Sequence, residues 1–463
     1  AAYQFDGLYG QDAYAYYDQA QAIQMTLRDG SPLPPFFWAL GYPALLAFGF
    51  TAFGSSVVVA QAISLILGAA LVGLVYVLAR QLGSTILGAF VAALLVAICG
   101  QAIQSSLVVM SDIPALAWAA LSAITLWQYF RTPRQGWLAL SAALLALASI
   151  TRWIYLVLTL PWLLAYLVER RGRFVWRHTA LAAGAALVVL LPQVLFSLNN
   201  QYPLFNHAWV QGWSPVNALR RDFTNVDGTF HYAQVNALYY AQPLYDPYYL
   251  APLTTPLLAV GVIGILRRRD GRSVMLLGWI LLPYLFFAGI PYQNIRFPFI
   301  MLPPAAILVG LGADALLRWG ARWRRARRIA FLAVILLSAG MTASAGGGVV
   351  GRFLRAQQRD QQAVRWAIAQ IPDSATVYTT GLTLRLRRDD PSLNVVELFS
   401  ETPETLSNRW IYAQHDYLLL DMWQMQNQWR GREPEQAYLW LRQHRGLIEI
   451  GRRGVYRLYG VRG

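Results

Sequence analysis

From residue 55 to residue 350 the chain is dominated by long apolar runs, several of a length that crosses about 30 Å of hydrocarbon, and this removes most folds from consideration. In lipid every backbone N–H and C=O must be satisfied within its own segment or around a closed barrel, so uninterrupted runs of this kind predict helices. They fall at about 55–82, 85–101, 112–130, 137–150, 154–168, 179–198, 249–266, 273–290, 297–319 and 329–350, giving ten spans. The expected class is a polytopic α-helical membrane protein with a small α/β domain after the last span. Composition agrees: of 463 residues 56% are hydrophobic and 13% charged, with mean hydropathy +0.38. Cys99 is the single cysteine and lies inside an apolar run, so no internal disulfide is available and a packed thiol is expected.

The formal charge of +15 is carried by arginine alone, since the sequence has no lysine. The positions of these arginines exclude a nucleic-acid reading. Arg80, then Arg131 and Arg134, then Arg170, Arg171, Arg173 and Arg177, then Arg267, Arg268, Arg269 and Arg272, then the cluster from Arg318 to Arg328 occupy alternate connections. The intervening connections hold Arg152, Arg220, Arg221 and Arg296, with Arg28 in the opening segment. By the positive-inside rule the arginine-rich connections face the cytoplasm. Ten spans then put both ends outside, and an exterior start at Ala1 predicts a further helix before it, eleven in the intact protein. The expected divisions are a first exterior loop over 1–54, a helical domain over 55–350 with a long exterior loop at 199–248, and a soluble domain over 351–463.

Carboxylates are scarce where they are costly. Between Gly30 and Val350 they are Asp112, Glu169, Asp222, Asp227, Asp246, Asp270 and Asp314, whereas FDGLYGQDAYAYYDQAQA before them sets Asp6, Asp12 and Asp18 among tyrosines that include Tyr16 and Tyr17. One reading is a solvated helix-capping loop; the other is a reaction site at the lipid surface with Asp12 as base. The Pro- and Gly-broken stretch 30–54 predicts a short helix along the outer leaflet, anchored by Trp38, Tyr42 and Phe48. Asp112 has a similar double reading: with Ser111 and Pro114 it fits a helix N-terminus, yet it is an isolated acid at an exterior end. Arg152 in ITRW and Arg296 at the head of a span either snorkel to headgroups or supply a fixed cation for a phosphate. His207 and His231, in the long exterior connection, are candidate metal ligands with a carboxylate, although their spacing matches no tight motif and satisfied polar residues are the alternative.

Beyond residue 351 the chain turns polar. QRDQQAVRWAIAQI reads as helix and ATVYTTG, LNVVELF, DYLLLD, GLIEIG and VYRLYG as strands. No glycine-rich phosphate loop or nucleophile signature occurs there, so the domain is expected to serve as lid, acceptor-docking module or structural appendage.

GQDAYAYYDQA (10–20), PPFFWALGYPALL (34–46), MSDIPALAWAALS (110–122), ITRWIYLVLTLP (150–161) and NIRFPFIMLPPAAILVG (294–310) together resemble the GT-C superfamily of membrane glycosyltransferases. The likeness is to the bacterial proteins akin to protein O-mannosyltransferases and the lipid A aminoarabinose transferase. The resemblance implies an enzyme of the bacterial plasma membrane that moves a sugar from a polyprenyl-phosphate donor, with inversion, to an acceptor hydroxyl on a protein, glycolipid or glycan. It places catalysis on Asp12, with Asp112 as the second family aspartate. Arg296, then Arg152, would steady the phosphate, and Tyr16, Tyr17 and Asp18 would line the substrate. Many relatives carry an Asp-Glu pair in the first loop; here Ala13 follows Asp12, which leaves a divalent metal as an open question. Two other classes stay in view, a transporter of lipid-linked substrate and a non-catalytic subunit or degenerate scaffold. A transporter tends to carry inverted repeats, and none is evident here.

Overall fold

The computed structural model describes residues 5–199, 208–319, 325–409 and 416–462. It divides into two compact units. One comprises Tyr16–Leu219 and Gln234–Gly351, the other Ala1–Ala15, Arg220–Ala233 and Arg352–Gly463.

The first unit is helical. Its elements are α1 (Gly10–Asp29, beginning in the other unit), α2 (Gly41–Phe53), α3 (Val57–Gln81), α4 (Ile86–Ile98), α5 (Gly100–Leu107), α6 (Asp112–Arg131), α7 (Gln135–Thr151), α8 (Thr159–Glu169), α9 (Trp176–Asn199), α10 (Thr255–Leu266), α11 (Gly271–Ala288), α12 (Leu302–Trp319) and α13 (Arg325–Ile368), which continues into the other unit. Local chemistry sets several starts: the Ser56 side chain accepts from Val59 N, Thr85 from Gly88 N, and Asp270 from the amides of Arg272 and Ser273.

A helix lies at each of the ten expected spans, though not all are long enough to cross a bilayer alone. Among the described residues six helices are long and apolar enough to cross a membrane, or seven if α4 and α5, bent by 56°, form one broken span. Four expected spans fall short of that length, among them 249–266, where the apolar helix runs only from Pro252 to Leu266. Cys99 takes an extended conformation that breaks 85–101 into α4 and α5, while the break expected at Arg152 is present and leaves the short helices Gln135–Thr151 and Trp153–Glu169 on either side. Hydropathy summed over a window does not register a single extended residue. The stretch 30–54, read as surface helix, contains α2 from Gly41 to Phe53.

Two glycines set the approach of α10 to α12. A Cβ at Gly261 would overlap the Leu308 carbonyl oxygen, and one at Gly312 would overlap that of Leu257, so the two backbones touch. Gly312→Ala is therefore expected to cost about 1–3 kcal/mol by forcing the helices apart. An earlier thermal unfolding transition in detergent would report it, with Gly136→Ala, at a site open to solvent, as control.

Asp314 has a structural explanation. Buried on α12, it accepts from Ser84 Oγ and Thr85 N at 2.7 Å each and from Thr85 Oγ1, tying α12 to the start of α4.

The second unit is built on a five-stranded sheet of order β4-β3-β5-β7-β6, formed by β3 (Thr376–Thr379), β4 (Asn394–Glu397), β5 (Asp416–Asp421), β6 (Gly446–Arg453) and β7 (Tyr456–Arg462). The β4-β3-β5 pairings are parallel; those of β5 with β7 and of β7 with β6 are antiparallel. Alternation along β5 sends Leu418 and Leu420 to a core with Trp429, Tyr438 and Leu441, and Leu419 to a second core with Val364, Ala367 and Leu458. A hairpin of β1 (Asp222–Asn225) and β2 (Gly228–His231) joins this unit: Thr229 N donates to Gln428 O at 2.8 Å and Arg432 Nη2 to Asn225 O at 2.6 Å.

Candidate functional site

Asp112 opens α6, where Ser111 makes no side-chain capping bond. The Asp112 carboxylate turns instead to two arginines. Arg152 Nη1 donates to Oδ1, while Arg296 Nε and Nη2 donate to Oδ2 at 3.1 and 2.9 Å. Arg152 reaches it because the chain leaves α7 in an extended conformation at that residue, and Arg296 because it precedes the 3-10 turn Phe297–Met301 that leads into α12. The Arg152 guanidinium also stands 5.6 Å from the centroid of the Phe297 ring, and Arg296 Nη2 lies 3.2 Å from Met110 Sδ.

The Asp112 side chain is 3% exposed and each arginine side chain 17%. One carboxylate is thus shared by two guanidiniums. A carboxylate accepting three N–H bonds from two cations is a poor proton acceptor, whereas each guanidinium carries five N–H groups, more than Asp112 can take. The arrangement thus suits holding an anion rather than moving a proton.

Tyr16 is connected to this cluster by its hydroxyl, 3.1 Å from Ser111 Oγ. Its ring is covered edge-on by Tyr42 and Phe36 at 5.2 and 5.9 Å, and the Tyr42 hydroxyl meets Ser64 Oγ at 2.8 Å. Tyr17 is covered by Phe50 at 5.3 Å. Both tyrosines are buried, so their rings are already occupied by protein contacts, while Asp18 is exposed. Asp12 lies one helical turn before Tyr16, in the first turn of α1, and is half-buried. His231 pairs with Asp222 at 3.0 Å on the exposed hairpin, and His207 lies outside the described residues. No group of three His, Cys, Asp or Glu side chains suited to a metal occurs among the described residues.

Sequence reasoning missed the Ser111 hydroxyl and Phe297 as neighbours of the ion pairs. The signal for Phe297 was its position directly after Arg296; for Ser111 there was only the cap reading, which the geometry replaces.

Residues 38–208 match the sequence model for dolichyl-phosphate-mannose-protein mannosyltransferase. No match to a curated protein sequence accompanies it. Among solved structures, apo ArnT from Cupriavidus metallidurans superposes with TM-score 0.64 at 16% identity, over 98% of this chain and 94% of that one. The same protein bound to undecaprenyl phosphate gives TM-score 0.65 at 15% identity, over 99% and 95%. The apo oligosaccharyltransferase of Archaeoglobus fulgidus gives 0.59 at 12% identity, over 90% of this chain and 66% of that one. The fold is that of the GT-C glycosyltransferases. On this GT-C fold the stretch matched by the sequence model contains Asp112 and Arg152, while Asp12 and Arg296 fall outside it.

Proposed function

We propose that this chain is an inverting glycosyltransferase that takes a sugar from a polyprenyl-phosphate donor at the exterior leaflet and passes it to an acceptor hydroxyl. The observation that carries the reading is the Asp112–Arg152–Arg296 cluster, in which two guanidiniums share one buried carboxylate at helix ends on a GT-C fold. A polyprenyl phosphate departs as an anion, and fixed guanidiniums stabilise charge that grows as the bond to it breaks. The undecaprenyl phosphate bound by one structural neighbour is the donor carrier favoured here.

In the proposed reaction Asp12 takes the proton of the acceptor hydroxyl. The hydroxyl oxygen bonds to the anomeric carbon from the face opposite the phosphate, the bond from that carbon to the phosphate oxygen breaks, and the polyprenyl phosphate leaves with the electron pair. Inversion follows from this single displacement. Arg296 and Arg152 hold the phosphate, and Asp112 acts through them, fixing their orientation. Tyr16 positions Ser111 and the start of α6. The oily carrier explains why such a catalyst sits in a bilayer, since withdrawing it costs about 0.8 kcal/mol per CH₂. We assign the sheet-bearing unit to the exterior side and the protein to the bacterial inner membrane, on the arginine distribution along the sequence. A mannosyl donor is the first choice, on the sequence-model match.

The test is transfer in proteoliposomes from radiolabelled mannosyl undecaprenyl phosphate, supplied with membrane extract as acceptor. Label should leave the lipid with opposite anomeric configuration in the product; label that stays on the lipid, or a retained configuration, counts against the proposal. Arg296→Lys keeps the charge but loses the two-toothed fork on Asp112, and should raise the donor KM about tenfold with a smaller change in kcat.

A further inference from the structure

Glu397 ends β4 in the sheet-bearing unit, and its carboxylate has a partner 386 residues away in sequence. Gln11 Nε2 donates to Glu397 Oε2 at 3.1 Å. Thr383 Oγ1 donates to the same oxygen at 2.6 Å, and Gly381 N to Oε1 and Oε2 at 3.2 and 3.3 Å. The carboxylate is half-buried and offers only acceptor lone pairs, so every one of these partners is a donor it requires. Burial raises the Glu397 carboxyl above the usual range, and the Thr383, Gly381 and Gln11 donors pull it back.

The same short stretch of chain is held at further points. The rings of Phe5 and Tyr9 pack edge-on to Phe353 at 5.4 and 5.2 Å, and the Arg388 guanidinium lies 6.0 Å from the centroid of the buried Tyr14 ring. Residues 5–14 are thus fastened to the unit formed by 352–463 on both sides of Asp12. The first turn of a helix has unsatisfied amides and frays readily unless something outside it restrains it. Gln11 and Asp12 are in that turn of α1.

The geometry points to Glu397 as a positioning residue for glycosyl transfer: through Gln11 it fixes the turn that presents Asp12. The carboxy-terminal domain is then a working part of the catalytic apparatus rather than an appendage. This rests on Asp12 being the base. A purely local role, bracing the 381–383 turn, would need only Gly381 and Thr383, and Gln11 is the partner it does not account for.

The experiment compares Gln11→Ala, Glu397→Ala, Glu397→Gln and the Gln11→Ala/Glu397→Ala double variant in the full chain, with labelled mannosyl undecaprenyl phosphate as donor. Each alanine variant should lower kcat about 10- to 100-fold with donor KM within about twofold, as loosened placement of a reacting group does. The double variant should be no worse than the poorer single variant, and Glu397→Gln, which keeps one acceptor oxygen, should recover part of the loss. Gln11→Ala leaves the 381–383 turn intact, so it keeps the test valid should Glu397→Ala fail to fold. Wild-type kcat in Gln11→Ala, or losses that simply add in the double variant, would overturn the inference. Asp12→Asn, assayed alongside, separates the two ideas: if it is inactive while the Gln11 and Glu397 variants are normal, only the positioning role falls, and if it is active the base assignment falls as well.

Discussion

Asp12→Asn is expected to lower the rate of sugar transfer by roughly 10²- to 10⁴-fold while leaving affinity for undecaprenyl phosphate within about twofold. The substitution keeps size and hydrogen-bonding capacity but removes the only property a general base needs, a lone pair basic enough to accept the acceptor's proton. Asp112 cannot take over, because its oxygens are engaged by three guanidinium N–H groups from two arginines and it is 2% exposed. Asp18 is exposed and lies six residues on, which on a helix turns it well away from the face of Asp12. The measurement is single-turnover loss of label from the donor, together with direct binding of undecaprenyl phosphate. Transfer at the wild-type rate would remove Asp12 from the chemistry.

Asp112→Ala should be the most damaging change to stability, about 3–5 kcal/mol, because it removes the carboxylate that two nearly buried guanidiniums share. The loss has a signature that a simple packing defect lacks. An anion that binds between Arg152 and Arg296 supplies the missing charge, so undecaprenyl phosphate should raise the unfolding temperature of Asp112→Ala more than that of the unaltered protein. An equal shift in both would mean that the lipid phosphate binds elsewhere. Asp112→Asn, which retains an acceptor oxygen, should fall between the two in stability.

Much of the helical architecture was legible because apolar length is written continuously along the chain, as at 57–81 and 176–199. The break inside 85–101 was not: Cys99 is unremarkable in a hydropathy window, and only its extended backbone divides the run around it, whereas the break at Arg152 was marked by its charge. The candidate site divides the same way. Asp112, Arg152 and Arg296 stood out singly as charges at the ends of apolar runs, but separations of 40 and 184 residues hold no hint that one carboxylate receives both arginines. That pairing supports the positioning role proposed for Asp112, which sequence alone left between helix cap and catalyst. The bond from Gln11 to Glu397 was illegible for the same reason, since a glutamine before an aspartate and a glutamate at a strand end are each ordinary.

The order of synthesis bears on the sheet-bearing unit, which collects residues 1–15, 220–233 and 352–463. β7, the strand that joins β5 to β6, is made last of the five. A ribosome adding about 5–20 residues per second needs roughly 20–80 s to travel from Gln11 to Glu397. During that interval the nascent amino-terminal stretch has no sheet to rest on, and neither does the 222–231 hairpin. The sheet of this unit can therefore close only after the whole membrane-spanning stretch between those residues has been made.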